Sequence, residues 1–186
     1  MQKVNYSFCN DVRQTATQEN FCKVIRTYEA KDRSAIIELV SATGNFNAEE
    51  IAIATELIDI CIEKPEQRDY YSFVYEDDST KRIAGFLIVG PTPATTGTYD
   101  MYWIAAHPDF YGKGIAQQLD RFAEDFVREH KGYLLIAETS SQSFYDRTRA
   151  FYAKQGYEEV SRIADYYKPG DDLVVFGKRV DRAIKN

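Results

Sequence analysis

Residues 107–116 read His107-Pro108-Asp109-Phe110-Tyr111-Gly112-Lys113-Gly114-Ile115-Ala116. Pro108 breaks the β-rich run Thr98–Ala106 that precedes it. Gly112 and Gly114 let the backbone turn sharply. A helical pattern then begins, with Ile115, Leu119, Phe122 and Phe126 on one helix face. A strand-to-helix turn of this kind gathers backbone N–H groups at the positive end of a helix dipole, and a pyrophosphate binds such an arrangement. Ala116 keeps the helix entrance small, so a phosphate can approach the backbone, and Lys113 adds charge.

A G-x-G/A turn by itself is also an ordinary turn. Two nucleotide-binding alternatives are testable by spacing. The string G-x-x-x-x-G-K-[ST] does not occur, and the third glycine of a G-x-G-x-x-G fingerprint is replaced by Gln117.

Upstream of the turn, Cys22–Tyr28 alternates as a strand. Lys31–Ala42 carries Ile36, Ile37, Leu39 and Val40 on a helical stripe that Gly44 closes. Asn47 and Glu50 form a capping-box pattern for a second helix, which runs through Cys61 and ends before Pro65. Tyr70–Glu76 and Arg82–Val89 read as a hairpin, and Thr98–Ala106 as a third strand. Downstream, Gly132 ends the helix that opens at Ile115. Tyr133–Thr139 is a buried strand, Phe144–Gln155 a helix, and Tyr157–Ile163 with Leu173–Val180 a final strand pair. Strand, two helices, three strands, helix, strand, helix, two strands is an α+β order, not a repeating βα unit. Residues 1–20 lack periodicity and are expected to form an N-terminal extension to a domain over 21–186.

With 186 residues, 44% of them hydrophobic, the chain can bury a core without metal or disulfide staples. Its formal net charge of −6 disfavours a nucleic-acid-binding role. Cys9, Cys22 and Cys61 are odd in number and widely spaced, which predicts idle thiols in a reducing compartment and no metal site. No apolar run suits a signal peptide or a membrane span, so a cytoplasmic protein is expected.

Two segments together resemble the GNAT superfamily of acetyl-CoA-dependent N-acetyltransferases. Tyr111-Gly112-Lys113-Gly114-Ile115-Ala116 is similar to that family's Q/R-x-x-G-x-G/A motif, with Tyr111 at the Gln/Arg position. Phe151-Tyr152-Ala153-Lys154-Gln155-Gly156-Tyr157 is similar to its [FL]-Y-x-x-x-G-[FY] motif. The resemblance covers about residues 22–180. It implies a mixed, mostly antiparallel sheet of about seven strands, helices on both faces, and a splay between the fourth and fifth strands. It implies acetyl-CoA as cosubstrate and direct transfer of acetyl to a primary amine, on a small molecule or a protein N-terminus. The coenzyme would contact backbone at Ile104, Ala105 and Ala106, the segment Tyr111, Gly112, Lys113, Gly114, Ile115, Ala116 and Gln117, and Tyr145, which stands at a frequent Asn position. Tyr152 would be the general acid. Glu138 would be the base, by similarity to ribosomal-protein N-terminal acetyltransferases, with Asp100 or a water chain as its rivals. Asp165-Tyr166-Tyr167 resembles their substrate-lining segment. Arg147 and Arg149 would meet a coenzyme phosphate or solvent, and Asp171-Asp172 would form a turn or hold a cationic acceptor. The aromatics Tyr99, Tyr102, Trp103, Tyr166 and Tyr167 would divide between core and amine pocket. A catalytically silent acyl-CoA-binding or sensing domain is the alternative, and a homodimer is one option for its assembly.

Overall fold

The sheet is built outward from β3 (Ile83–Pro91), whose run IAGFLIVG is buried throughout. A strand apolar on both faces needs helices on both sides. The computed structural model describes residues 24–44 and 46–180, so the extension expected over 1–20 lies outside the described residues, as do Cys9 and Cys22. β2 (Tyr71–Glu76) and β4 (Thr98–Ala106) flank β3 antiparallel, and the short β1 (Ile25–Thr27) pairs with β2. β5 (Leu134–Ser140), β7 (Asp171–Arg179) and β6 (Glu158–Lys168) complete the order β1-β2-β3-β4-β5-β7-β6.

Helices α1 (Arg33–Ala42) and α2 (Ala48–Glu63) cover one face, packing Ile36, Leu39, Val40 and Ile58 on Val74, Phe86 and Ile88. The capping box forms at α2: the Asn47 side chain accepts the Glu50 N–H at 2.9 Å, and Glu50 accepts the Asn47 N–H at 2.8 Å. Helices α3 (Ile115–Glu129) and α4 (Asp146–Lys154) cover the other face, where Leu119, Phe126 and Tyr152 join Leu87, Val89 and Val174. Gly85 permits this packing. A Cβ there would lie 2.6 Å from Ile115 Cγ2 and 2.8 Å from Leu119 Cδ1.

Among the described residues the only parallel pair is β4 with β5, and its pairing spans just Thr98–Asp100 against Leu134–Ile136. β5 continues to Ser140 alongside β7, while β4 continues to Ala106 alongside β3. The two strands part after Asp100. Over the described residues the fold is therefore the expected one: seven strands, mostly antiparallel, helices on both faces, and a splay between the fourth and fifth strands.

Two local expectations shift. The helix expected from Phe144 begins at Asp146, preceded by a 3-10 turn over Ser143–Tyr145. Arg149 causes this, because its guanidinium donates back to the carbonyls of Ser140 and Gln142 and pairs with Asp146, which pins the entry turn. The strand expected to end at Ile163 runs to Lys168. Residues 164–167 bulge away from β7, and Asp165 sits at φ 54. Asp165 holds that shape by donating its N–H to Asp172 Oδ1 and accepting the Gly170 N–H. A bulge destroys the alternation by which a strand is read.

Candidate active site

The turn between β4 and α3 is anchored before it becomes a site. His107 is buried, and its Nδ1 accepts the Asp109 N–H at 3.1 Å. Phe110 is buried beneath the loop, with Lys113 Nζ 4.6 Å and the Arg82 guanidinium 5.3 Å from its ring centroid. Arg82 also pairs with Asp109 at 2.9 Å. Gly112 and Gly114 both take left-handed backbone, φ 79 and φ 73, which side-chain-bearing residues rarely adopt.

Gly114 is the N-cap of α3 and provides no side-chain cap. The first helical bond runs from the Gln118 N–H to the Gly114 carbonyl at 3.0 Å. The N–H groups of Ile115, Ala116 and Gln117 therefore have no intrahelical acceptor. A Cβ on Gly114 would meet Gln117 Oε1 at 3.1 Å, so the loop lies close over the helix end. Lys113 and Tyr111 are exposed at its rim. Uncapped N–H groups, a helix dipole and an exposed lysine suit a pyrophosphate.

Ile104, Ala105 and Ala106 lie on β4 beyond the point where it leaves β5. One edge of this segment bonds β3; the other has no strand partner among the described residues. Its backbone groups on that side are available to an extended ligand.

Tyr152, on α4, is buried, its ring 5.2 Å from Tyr157 and 5.4 Å from Phe176. Burial, with the charge of Asp120 adding, holds its hydroxyl protonated well above the ordinary tyrosine range. Glu138 is on β5, exposed, and forms no ion pair among the described residues. Its proton affinity is raised, by partial desolvation first and by the charge of Asp100 second. Asp100 is half-buried on β4, opposite Ile136, and desolvation raises it too, against the nearby hydroxyls of Thr92 and Tyr102. Tyr167 is pushed up to about 12 by burial and then by the Glu138 charge. Glu138, Asp100 and Tyr167 thus share one neighbourhood. The Tyr145 hydroxyl donates to Glu50 of α2 at 2.9 Å, tying the start of α4 to the α1–α2 layer.

Several candidates separate. Tyr99 is core under α3, Tyr102 and Trp103 pack under α1 and α2, and only Tyr166 and Tyr167 stand exposed as a T-shaped pair. The five aromatics are not one pocket. Asp171 is buried and accepts the Ser140 hydroxyl, and Asp172 pairs with Arg162 at 3.1 Å, so both serve the hairpin. Arg149 is committed to its entry turn, and Arg147 is exposed.

The sequence reading missed a buried charged cluster behind Tyr152. Asp120 on α3 has no exposed surface, accepts the Tyr157 hydroxyl at 2.8 Å, and lies 3.4 Å from Lys178 Nζ. Lys178 also meets Glu124 at 2.6 Å, and Glu124 pairs with Arg128 at 2.7 Å. Asp120 and Glu124 share one helix face at i, i+4. That spacing was the available signal, but carboxylates beside an apolar stripe are ordinary on a solvated helix face. A separate cavity of about 120 Å³, lined by Tyr28, Cys61, Ser72 and Phe126 among others, lies at the β1–β2 edge rather than at the splay. Among the described residues no helix is long and apolar enough to cross a membrane.

A sheet opened between its two parallel strands, beside an uncapped helix N-terminus, defines the acetyltransferase class of α+β domains. Residues 68–159 match the family model of the acetyltransferase (GNAT) domain. A GNAT-assigned protein of Desulfovibrio desulfuricans is 34% identical, with TM-score 0.80, over 84% of this chain and 98% of that one. The chain belongs to the GNAT family of acetyltransferases. Its fold is also similar to the ribosomal-protein-S18-alanine N-acetyltransferase of Escherichia coli, at 18% identity, TM-score 0.65, and 87% and 96% coverage. A Salmonella typhimurium protein solved with its cofactor acetyl-CoA is 16% identical, with TM-score 0.64 and 87% and 96% coverage. No curated protein matches the chain.

Proposed function

We propose that the protein transfers the acetyl group of acetyl-CoA directly to a primary amine. The observation that carries this reading is the parting of β4 from β5 after Asp100, directly upstream of the uncapped α3 N-terminus. The opening gives a thioester arm an unpaired strand edge at Ile104, Ala105 and Ala106. The loop Tyr111–Gln117 gives its pyrophosphate uncapped N–H groups and the charge of Lys113.

An alkylammonium, with a pKa of about 10.4, must lose a proton before it can attack a thioester. Glu138 takes that proton, directly or through water, and its raised proton affinity makes it a stronger base than an ordinary glutamate. The nitrogen then bonds the acyl carbon, and negative charge gathers on the carbonyl oxygen. Backbone N–H groups on the free edge of β4 stabilise that oxygen. The carbon–sulfur bond breaks, Tyr152 gives its proton to the departing thiolate, and the extra proton on the acylated nitrogen leaves through water and restores Tyr152. Tyr152 stays protonated across the working pH range, so its proton is present when the thiolate leaves, although the same burial makes it a weak acid. Tyr145, committed to Glu50, acts here as a wall between α4 and the α1–α2 layer.

Calorimetric titration tests the coenzyme site. Acetyl-CoA and free CoA are expected to bind the wild type in preference to ATP. Gly114→Glu, which puts a side chain and a carboxylate at a left-handed position over the uncapped N–H groups, is expected to abolish binding. Unchanged binding by a folded Gly114→Glu variant would refute the assignment of the loop.

A further inference from the structure

The α1–α2 layer packs its apolar side chains on β2, β3 and β4, and its Glu50 reaches Tyr145 beyond β5. On that face β5, β7 and β6 carry an apolar strip that is exposed at Val160 and Ile163. Leu135 and Ala137 of β5 belong to the core under α3, so the alternating Ile136 and Glu138 point the other way. In β7, Val175 lies opposite Glu138, and Gly177 opposite Ile136. Gly177 leaves the floor open. A Cβ there would lie 3.0 Å from Val160 Cγ1 and 3.5 Å from Ile136 Cδ1. Val160 of β6 thus leans over β7 toward Ile136, and apolar surface runs unbroken from β5 to β6. Ile163, opposite Leu173, extends it.

This surface is unusual for the molecule. Seven large hydrophobic side chains are exposed among the described residues, and four of them, Val160, Ile163, Tyr166 and Tyr167, lie on β6. Val160 is 56% and Ile163 48% exposed. An apolar patch concentrated in this way marks a binding surface. It is continuous with the proposed active site, because Glu138 stands two residues from Ile136 on the same face and beside Tyr167. Glu159 and Arg162 lie opposite Phe176 and Val174, on the other face, and pair at 2.8 Å, whereas Glu158 lies opposite Gly177 on the face of the strip and is exposed. The strip therefore offers a ligand apolar contact at Ile136, Val160 and Ile163, flanked by the carboxylates of Glu138 and Glu158.

We infer that the acceptor is a small-molecule amine with an apolar body beside its reacting nitrogen. The body lies on Ile136, Val160 and Ile163 while the nitrogen meets Glu138. This rests on the transferase reading above and specifies its substrate class.

The test is the initial rate of CoA thiol release by the full-length protein with acetyl-CoA. Ethylamine and hexylamine serve as acceptors, matched in amine pKa but differing by four methylenes, and spermidine is the polycationic comparison. The expected kcat/KM for hexylamine is about tenfold above that for ethylamine, as for partial burial of an alkyl chain. Val160→Asp and Ile163→Asp alter exposed positions, so both are expected to fold, and each is expected to bring the hexylamine-to-ethylamine ratio close to one. Equal kcat/KM for the two amines in the wild type would overturn the inference while leaving the transferase reading intact. Spermidine as the best acceptor would do the same. A Val160→Asp variant that turns a wild-type dimer into a monomer would also overturn it, by making the strip a subunit interface. Absence of thiol release with every amine, despite acetyl-CoA binding, would refute the transferase reading itself.

Discussion

Glu138 and Asp100 come from different strands, and their proximity depends on the three-residue parallel pairing of β4 with β5. The Asp100 charge raises the proton affinity of Glu138 after desolvation has already done so. As the proposed base, Glu138 must be ionised to act, so the acid limb of kcat is expected above the ordinary glutamate range. Asp100→Asn removes that charge, lowers the Glu138 pKa, and is expected to move the acid limb of kcat to lower pH. Rate profiles over about pH 4–8 with a saturating amine check this. A limb that stays in place would separate Asp100 from the base. At this scale the sequence was informative where backbone conformation is the requirement. Gly112 and Gly114 announce left-handed positions by lacking a side chain. It was uninformative for Tyr99, Tyr102 and Trp103, because neighbouring strand residues face opposite sides and the β3–β4 register shift disturbs their alternation.

Helix α3 must present its N-terminus to a ligand while staying fixed to the sheet. The cluster Asp120–Lys178–Glu124 anchors it to β7, and Tyr157 links the same carboxylate to the ring that packs on Tyr152. Lys178→Met leaves two poorly solvated carboxylates without their shared cation. The expected cost is about 3–5 kcal/mol, because an uncompensated charge stays in the interior. The sign of its pH dependence follows from linkage. The Asp120 pKa is already raised by burial, and loss of Lys178 raises it further above its unfolded value. The folded variant then binds more protons than the unfolded chain, so its stability falls as pH rises through that interval and recovers on acidification. Thermal unfolding at mildly acidic and neutral pH is the check, and equal destabilisation at both would exclude the mechanism. Element boundaries were legible where the signal is local: the Asn47–Glu50 capping box starts α2, and Gly132 follows α3. They were misread at α4 and β6, where Arg149 and Asp165 make bonds to groups outside the local pattern.

At the scale of the molecule, the proposed site is an opening in the sheet, so a ligand that fills it would link elements that otherwise part. A ligand that binds only the folded state stabilises it, by about 2.7 kcal/mol at a hundredfold excess over Kd. For a domain of this size that corresponds to a rise in Tm of roughly 5–10 °C. Acetyl-CoA and CoA are expected to produce it, ATP to produce less, and Gly114→Glu to remove it. Scanning calorimetry reads all of these, and a Tm indifferent to acetyl-CoA would count against the site.

The amino-acid order determined the alternation of elements, the buried centre of the sheet and the glycine turn at 112–114. Each depends on residues close in sequence, through periodicity or allowed backbone angles. Tertiary structure decided where β4 leaves β5, that Asp120 and Lys178 meet in the interior, and that Gly177 lets Val160 lean toward Ile136. Those outcomes depend on residues tens of positions apart. Their contact is set by sheet register and helix packing, which no local pattern records.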